Sequence, residues 1–201
     1  MQEIVFSILV PTLPERTGHL TNLMGRLSRQ LKDKPVELIV FGDNRQRPVG
    51  DKRNLMMDIC QGRFLTHLDD DDLVSEDYVN CILQQIKETP DADVVCISSQ
   101  ADLGDDMPFI VRTSLEFENE DSNIKKKKIA LTEYDYRPDI RRKPWHWCIW
   151  KTEIARQGRF PTVFMAEDWI WVQQVVPLCK KEAILDRVLH YYFYRPGVSL
   201  S

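Results

Sequence analysis

The sequence predicts an α/β protein built on a mostly parallel sheet with helices on both faces. Three observations carry this. Strand-like and helix-like stretches alternate four times through residues 1–100. The opening strand-like runs are continuously apolar, as strands buried on both faces are. Polar or acidic groups follow three of those runs, and in open α/β sheets ligands bind outside the carboxyl ends of the strands.

Ile4-Val5-Phe6-Ser7-Ile8-Leu9-Val10 is the first strand, and Pro11-Thr12-Leu13-Pro14 is expected to stop it. Leu20, Leu23, Met24, Leu27 and Leu31 recur at helical spacing, so a helix runs from near Thr17 to before Pro35. Val36 to Phe41 is a second strand, ended by Gly42-Asp43-Asn44, and a helix spans Gly50 to Cys60. Arg63 to Leu68 is a third strand and delivers Asp69-Asp70-Asp71-Asp72. Ser75-Glu76-Asp77 reads as a helix cap, with Tyr78, Val79, Ile82, Leu83 and Ile86 as the inner face. Val94 to Ser98 is a fourth strand.

The pattern then changes. Residues 102–121 hold seven acids against Arg112, and residues 125–143 hold eight bases against three acids. A long excursion is expected there, with a hairpin between Phe109-Ile110-Val111 and Ile129-Ala130-Leu131. Pro144 to Trp150 is aromatic and strand-like, and Thr152 to Gln157 is a short helix closed by Gly158. Glu167 to Val176 is a further helix, and Ala183–Leu185 and Val188–Tyr194 are closing strands. No repeat or linker divides the chain, so one domain over residues 1–201 is expected.

The 201 residues carry a net charge of −4, with 43% hydrophobic and 29% charged residues, which excludes a disordered chain and gives no global bias toward nucleic acid. No apolar run approaches the ~20 residues of a membrane span. Met1-Gln2-Glu3-Ile4 has no basic start or long apolar stretch, so no signal peptide and a cytoplasmic location are expected. Cys60, Cys81, Cys96, Cys148 and Cys179 form no Cys-x-x-Cys pair, so free thiols are expected.

Four adjacent carboxylates repel, so they are not buried without a positive partner. A hard cation such as Mg²⁺ or Mn²⁺, with a phosphate ligand, suits them; a solvated acidic turn is the simpler alternative. Lys52 and Arg53 near a helix start would suit a diphosphate. A nucleotide diphosphate with a metal makes sense of the polar groups at Thr12, Glu15 and Arg16, at Asp43, at Lys52-Arg53-Asn54 and at Asp69–Asp72 together.

Those residues carry a resemblance. The first strand running into Pro11-Thr12, the Asp43 strand end, Gly50-Asp51-Lys52-Arg53-Asn54 and Leu68-Asp69-Asp70-Asp71-Asp72 occur in family order. Gly158-Arg159-Phe160-Pro161, Glu167-Asp168-Trp169 and Tyr191 to Ser199 follow. The chain resembles the GT-A glycosyltransferases, family 2 in particular, over nearly its whole length. The resemblance implies a single GT-A domain, with a nucleotide-sugar-binding half (residues 1–100) and an acceptor-side half (101–201). It implies that Pro11, Thr12, Glu15 or Arg16, and Asp43 hold base and ribose, and that Lys52, Arg53 and Asn54 help bind nucleotide or sugar. Asp69 would contact ribose or metal, Asp70 the donor, and Asp71 the Mn²⁺ or Mg²⁺, with the frame open by one position. Of the Glu167-Asp168 pair, Asp168 would be the base of an inverting transfer, its pKa raised by Trp169 and Trp171. A UDP-sugar is the expected donor.

His190 is a candidate third metal ligand, and His146, Trp147 and Trp169 are candidate acceptor residues; a packed strand histidine is the alternative at His190. The Lys125–Lys143 stretch suggests an anionic or stackable acceptor, such as a glycan, a lipid carrier or a modified DNA base. A solvated loop is the other reading. The Gln-x-x-Arg-Trp signature of processive synthases is absent, which favours transfer of one sugar. Two rival functions are a nucleotidyltransferase, whose Gly-rich loop is missing after the first strand, and a non-catalytic sugar-nucleotide-binding module.

Overall fold

The computed structural model describes residues 3–104, 107–120, 127–128, 135–136, 138–163 and 165–194. Eleven strands are described: β1 (Phe6–Thr12), β2 (Val36–Gly42), β3 (Phe64–His67), β4 (Leu73–Val74), β5 (Val94–Asp102), β6 (Phe109–Thr113), β7 (Lys127–Lys128), β8 (Asp135–Tyr136), β9 (Ile140–Arg142), β10 (Ile149–Lys151) and β11 (Glu182–Phe193). The helices are α1 (Thr17–Leu31), α2 (Val49–Ile59), α3 (Tyr78–Glu88), α4 (Thr152–Ala155) and α5 (Glu167–Val175).

The main sheet runs β2-β1-β3-β10-β5-β11-β4, with β6 on β5 and β9 on β6. β1 pairs in parallel with β2 and β3, and β5 with β11. This is the expected α/β sheet flanked by helices, with one difference. The fourth strand, β5, does not pair with β3. The three residues of β10 lie between them, antiparallel to both. A later segment fills the gap, so Trp150 stands opposite Leu65.

Pro11 does not end β1. It pairs at Pro11↔Phe41 with β2, while β3 pairs with β1 only as far as Leu9↔His67. One edge of β1 is therefore open at Pro11, and the missing N–H removes no ladder bond.

The core is one continuous cluster spanning both halves of the chain, from Phe6 and Ile8 on β1 to Trp150 and Trp171. Burying such aromatic and β-branched side chains stabilises the fold by roughly 1.5–3 kcal/mol each. α1 turns Leu23 and Leu27 inward at i, i+4. Its Gln30 reaches across and accepts the N–H of Val79 through Oε1 at 3.0 Å. This contact does the capping expected of Ser75-Glu76-Asp77: α3 has no side-chain cap of its own, and Ser75 Oγ instead donates to Asp77 Oδ1 at 2.8 Å.

Three further differences from the sequence reading bear on the cavity. Pro144–Cys148 is a turn rather than a strand, with Cys148 N–H donating to Trp145 O at 2.9 Å. The closing strands are one, β11, with register shifts between Leu185 and Val188 and between Val188 and His190. β6 pairs with β5 and β9; its predicted partner Ile129–Leu131 lies outside the described residues, as do Lys125, Lys126 and residues 195–201. The five cysteines are free thiols. Among the described residues no helix is long and apolar enough to cross a membrane.

Gly50 lets the first turn of α2 lie against the Phe160-Pro161 segment. A Cβ there would meet Pro161 O at 2.4 Å and Phe160 Cβ at 3.2 Å. Gly50→Ala is therefore expected to destabilise by about 1–3 kcal/mol. The melting temperature should fall by roughly 2–4 °C per kcal/mol in a chain of this size. An unchanged melt by circular dichroism would show that this contact is not tight.

Candidate active site

β3 ends at His67, and the chain turns through the four aspartates, Asp72 N–H donating to Asp69 O at 3.2 Å. Repulsion among the four is met by partners from distant segments. Arg53 Nη2 lies 2.6 Å from Asp69 Oδ1. Arg16 donates through Nε to Asp70 Oδ1 at 2.6 Å, and its Nη2 lies 2.8 Å from Asp71 Oδ2. Thr12 Oγ1 donates to Asp70 Oδ2 at 2.7 Å. His190 Nε2 lies 2.9 Å from Asp72 Oδ2, because β4 follows the run directly and pairs His190 with Val74.

The neutralisation is uneven. Burial pushes the Asp69 carboxyl up, but the Arg53 charge and His146 hold it well below the usual carboxylate range. Burial and the charges of Asp69 and Asp72 push Asp71 up to about 7 despite Arg16. Burial also raises Asp72, against the pull of His190. The run therefore has an unmet demand for positive charge at Asp71 and Asp72.

α5 supplies the facing carboxylates. The chain enters it through Ala166 in the left-handed conformation, φ 63°, a costly one for a residue with a Cβ. Glu167 turns inward to Arg53 Nε, 3.6 Å away, and burial raises its pKa. Asp168 faces the cavity. Its Oδ1 accepts the Trp169 N–H at 2.7 Å and its Oδ2 accepts the Trp145 indole N–H at 3.0 Å. His146 Nδ1 lies 3.3 Å from the same Oδ2, and its Nε2 lies 3.5 Å from Asp69 Oδ2. Asp69 and Asp168 thus face each other across one imidazole.

Burial alone would lower the His146 pKa, but Asp168 and Asp69 outweigh it and raise it to about 9. The two carboxylates thus favour the charged imidazolium through proximity, since neither ring nitrogen of His146 makes a hydrogen bond. His146 holds Asp168 below the usual carboxylate range although burial pushes the other way. The expectation that Trp169 and Trp171 raise Asp168 is overturned: Trp171 is fully buried, stacked on Phe160 at 4.8 Å between ring centroids, and Trp145 turns a donor to the carboxylate.

These walls enclose a cavity of about 930 Å³. Pro11, Thr12, Arg16, Lys52, Arg53, Asp69 to Asp72, His146, Trp147, Glu167 and Asp168 line it. Other predicted site residues do other things. Lys52 Nζ lies 2.6 Å from Asp43 Oδ1 and donates to Thr12 O at 3.0 Å, so Asp43 is a buried counter-ion outside the lining. The Asp43 pKa is held down by Lys52 against burial. Lys52 and Arg53 thus spend their charge inside the protein. Glu15 is exposed and paired with Arg45 at 2.6 Å. Asn54 clasps Phe160 through both ends of its amide, at 2.8 and 3.0 Å. His190 uses Nδ1 on Ser99 Oγ at 2.8 Å and Nε2 on Asp72, and stacks on Trp147 at 5.1 Å. It supports Asp72 and leaves no ring nitrogen for a metal. Trp169 stands beside Trp145 at 5.5 Å but does not line the cavity. His146 is a buried bridge between carboxylates instead of an acceptor contact.

Sequence reasoning missed Trp145, Arg45, Arg47, Arg142 and Tyr192 as lining residues. Arg142 had a signal in the basic stretch before the tryptophans, Trp145 in the aromatic segment Pro144 to Trp150, and Tyr192 in the Tyr191 to Ser199 motif; Arg45 and Arg47 had none.

No protein-family model and no curated protein sequence matches the chain. Solved structures do match its backbone. S. aureus TarS residues 1–349 with UDP-GlcNAc matches at TM-score 0.66 and 17% identity, over 98% of this chain and 60% of that one. The same TarS piece with UDP matches at TM-score 0.67 and 18% identity, over 96% and 61%. The fold is GT-A. A longer TarS structure matches at TM-score 0.65 over 94% of this chain and 36% of that chain. This GT-A chain spans about 60% of TarS 1–349. TarS is a family 2 glycosyltransferase, and the shared GT-A fold is what an identity of 17% establishes.

Proposed function

We propose that the protein transfers one sugar from a nucleotide-sugar donor to a hydroxyl acceptor, with inversion. The reading rests on one observation: an ionised carboxylate, Asp168, opposes an incompletely neutralised acidic run in the same cavity. The GT-A fold supports it, since TarS with that fold has been solved with UDP and with UDP-GlcNAc.

The nucleotide would lie against the ends of β1 and β2, with Pro11, Thr12, Arg47 and Val49, and its diphosphate would face Asp69–Asp72. Asp168 takes the proton of the acceptor hydroxyl as that oxygen bonds to the sugar C1. The bond from C1 to the diphosphate oxygen breaks, and its electron pair leaves with the nucleotide. Base and leaving group lie on opposite sides of the sugar, which inverts C1. The Trp145 indole and His146 Nδ1 face Oδ2 and the Trp169 backbone N–H takes one lone pair of Oδ1, so Oδ1 keeps a lone pair to accept the proton.

Asp71, raised by burial and by Asp69 and Asp72, fits a divalent cation. Among the described residues no three potential ligands gather, which suits a metal held by one or two carboxylates plus substrate phosphates. Asp71 and Asp69 would hold Mn²⁺ or Mg²⁺, which would neutralise the diphosphate charge.

A thermal-shift series with UDP-, GDP-, dTDP- and CMP-sugars, each with and without Mn²⁺, tests the reading. A ligand at a hundred times its Kd adds about 2.7 kcal/mol, a rise of roughly 5–11 °C here. A UDP-sugar should give that rise and Mn²⁺ should enlarge it. No shift with any donor would overturn the proposal.

A further inference from the structure

The buried cations of this cavity are all paired. Arg16, Lys52 and Arg53 each lie 2.6 Å from a carboxylate oxygen. Arg142 differs. It is half-buried at the end of β9, lines the cavity, and its side chain makes no ion pair or hydrogen bond among the described residues. Its Nε is buried without an acceptor. Its Cζ lies over the Trp145 ring, 3.5 Å from the ring centroid. Burial lowers its pKa, and the nearby Asp168 charge only partly offsets this.

Arg156 spends its donors on the carbonyls of Met57 and Cys60 at 2.9 and 2.7 Å, and Arg53, whose Nε and Nη1 also lack hydrogen-bond acceptors, faces the carboxylates of Asp69 and Glu167. With no carboxylate partner among the described residues, the half-desolvated Arg142 guanidinium is costly unless a ligand completes it. The neighbouring Lys143 is already engaged, donating to Leu115 O at 2.6 Å.

The location says which ligand. Arg142 comes from β9, which pairs with β6 at Thr113↔Arg142 and so with the β5–β11 part of the sheet. The nucleotide side is built from the ends of β1 and β2, beyond β3 and its acidic run. Trp145, the ring under Arg142, holds Asp168 by its indole N–H. An anion on Arg142 therefore sits one indole away from the base. The remaining wall on this side is apolar, with Phe109, Val111, Ile140 and Tyr192.

We infer that Arg142 on Trp145 is an oxyanion subsite on the acceptor side, so that the acceptor carries a phosphate or carboxylate near the hydroxyl that Asp168 deprotonates. This rests on the sugar-transfer reading. It also moves the anion contact from the Lys125–Lys128 run to a residue inside the cavity.

The test uses ethyl phosphate, with the uncharged trimethyl phosphate as the neutral control, and the full chain saturated with UDP to occupy the donor side. Phosphorus NMR line-broadening should show saturable binding of ethyl phosphate to the native protein. Arg142→Gln should weaken it by roughly tenfold or more, the scale of one charge-assisted contact, and Arg142→Lys by less. UDP affinity should stay unchanged in both variants, which also reports that they fold. Equal binding to native protein and Arg142→Gln, or no binding to native protein, overturns the inference. A second arm compares UDP-glucuronate with UDP-glucose. If Arg142→Gln weakens only UDP-glucuronate and leaves ethyl phosphate unaffected, the anion belongs to the donor sugar and the acceptor assignment fails. Failure of UDP itself to bind would sink the sugar-transfer reading instead.

Discussion

Asp168→Asn is expected to lower sugar transfer by about 10²–10⁴-fold, the range for losing a positioned general base. The asparagine keeps the shape but has one acceptor oxygen, so it can answer Trp145 Nε1 or the Trp169 N–H, which bond opposite oxygens of Asp168, and not both. It cannot take the acceptor proton. Nucleotide binding should change little, because the β1 and β2 ends that would hold the nucleotide do not touch this side chain. Steady-state turnover and UDP affinity, measured on the same preparation, separate the two effects. Transfer within tenfold of the native rate would remove Asp168 from the base role. A parallel loss of UDP binding would point to a collapsed site and not to lost chemistry.

Arg53→Leu carries the largest expected effect on stability. Arg53 is 2% exposed and sits between Asp69, at 2.6 Å, and Glu167, at 3.6 Å. Leucine keeps much of the volume over the Phe160 ring but leaves Glu167 without its cation and Asp69 with His146 alone. Removing one partner of a buried ion pair costs about 3–5 kcal/mol. At roughly 2–4 °C per kcal/mol the melting point should fall by about 6–20 °C. The sign with pH follows. Glu167 is already raised by burial, and without Arg53 it is raised further. It folds neutral at low pH at no charge penalty, and the penalty grows as pH rises through the folded pKa. The variant should therefore lose more stability relative to native protein at pH 8 than at pH 5. Urea melts at the two pH values measure it. A loss under about 1 kcal/mol at pH 8 would mean that water already solvates this pair.

Both experiments depend on facts that differ in how legible they were. The helices α1 and α3 are legible within a few residues from their apolar spacing, because that spacing reports which face is buried; α2 is legible in its bounds but not in its face, since Leu55 and Ile59 are exposed while Lys52 and Arg53 are buried. β1 and β2 are legible in the same way, except that Pro11 does not end β1. The ladder edge open at Pro11 depends on where β3 ends, which no local pattern records. β10 is invisible in the sequence as an insertion between β3 and β5: three residues carry no periodicity, and their partners lie 85 and 56 positions away at Leu65↔Trp150 and Val94↔Trp150.

The candidate site shows the same division more sharply. Asp69–Asp72, Lys52, Arg53 and Glu167-Asp168 do meet in one cavity. Their assignments among one another were not readable. Lys52 and Arg53 looked like diphosphate ligands and instead neutralise Asp43 and Asp69. Asn54 looked like a sugar ligand and holds Phe160. His146 looked like an acceptor residue and is the imidazole between Asp69 and Asp168.

By itself, then, the sequence determined the α/β sheet, the order of its main elements and the acids and bases that gather at the strand ends. Hydrophobic periodicity and turn residues are local signals, so they survive in one dimension. Only the tertiary structure decided which charge answers which, because those pairs span 16 residues for Arg53 and Asp69, 54 for Arg16 and Asp70, and 118 for Asp72 and His190. Coulomb energy depends on distance through space and on burial, and neither is written in the spacing of the letters. That is why the run of four aspartates is evident from the sequence, while its uneven neutralisation, with Asp71 and Asp72 both raised and Asp69 lowered, is not.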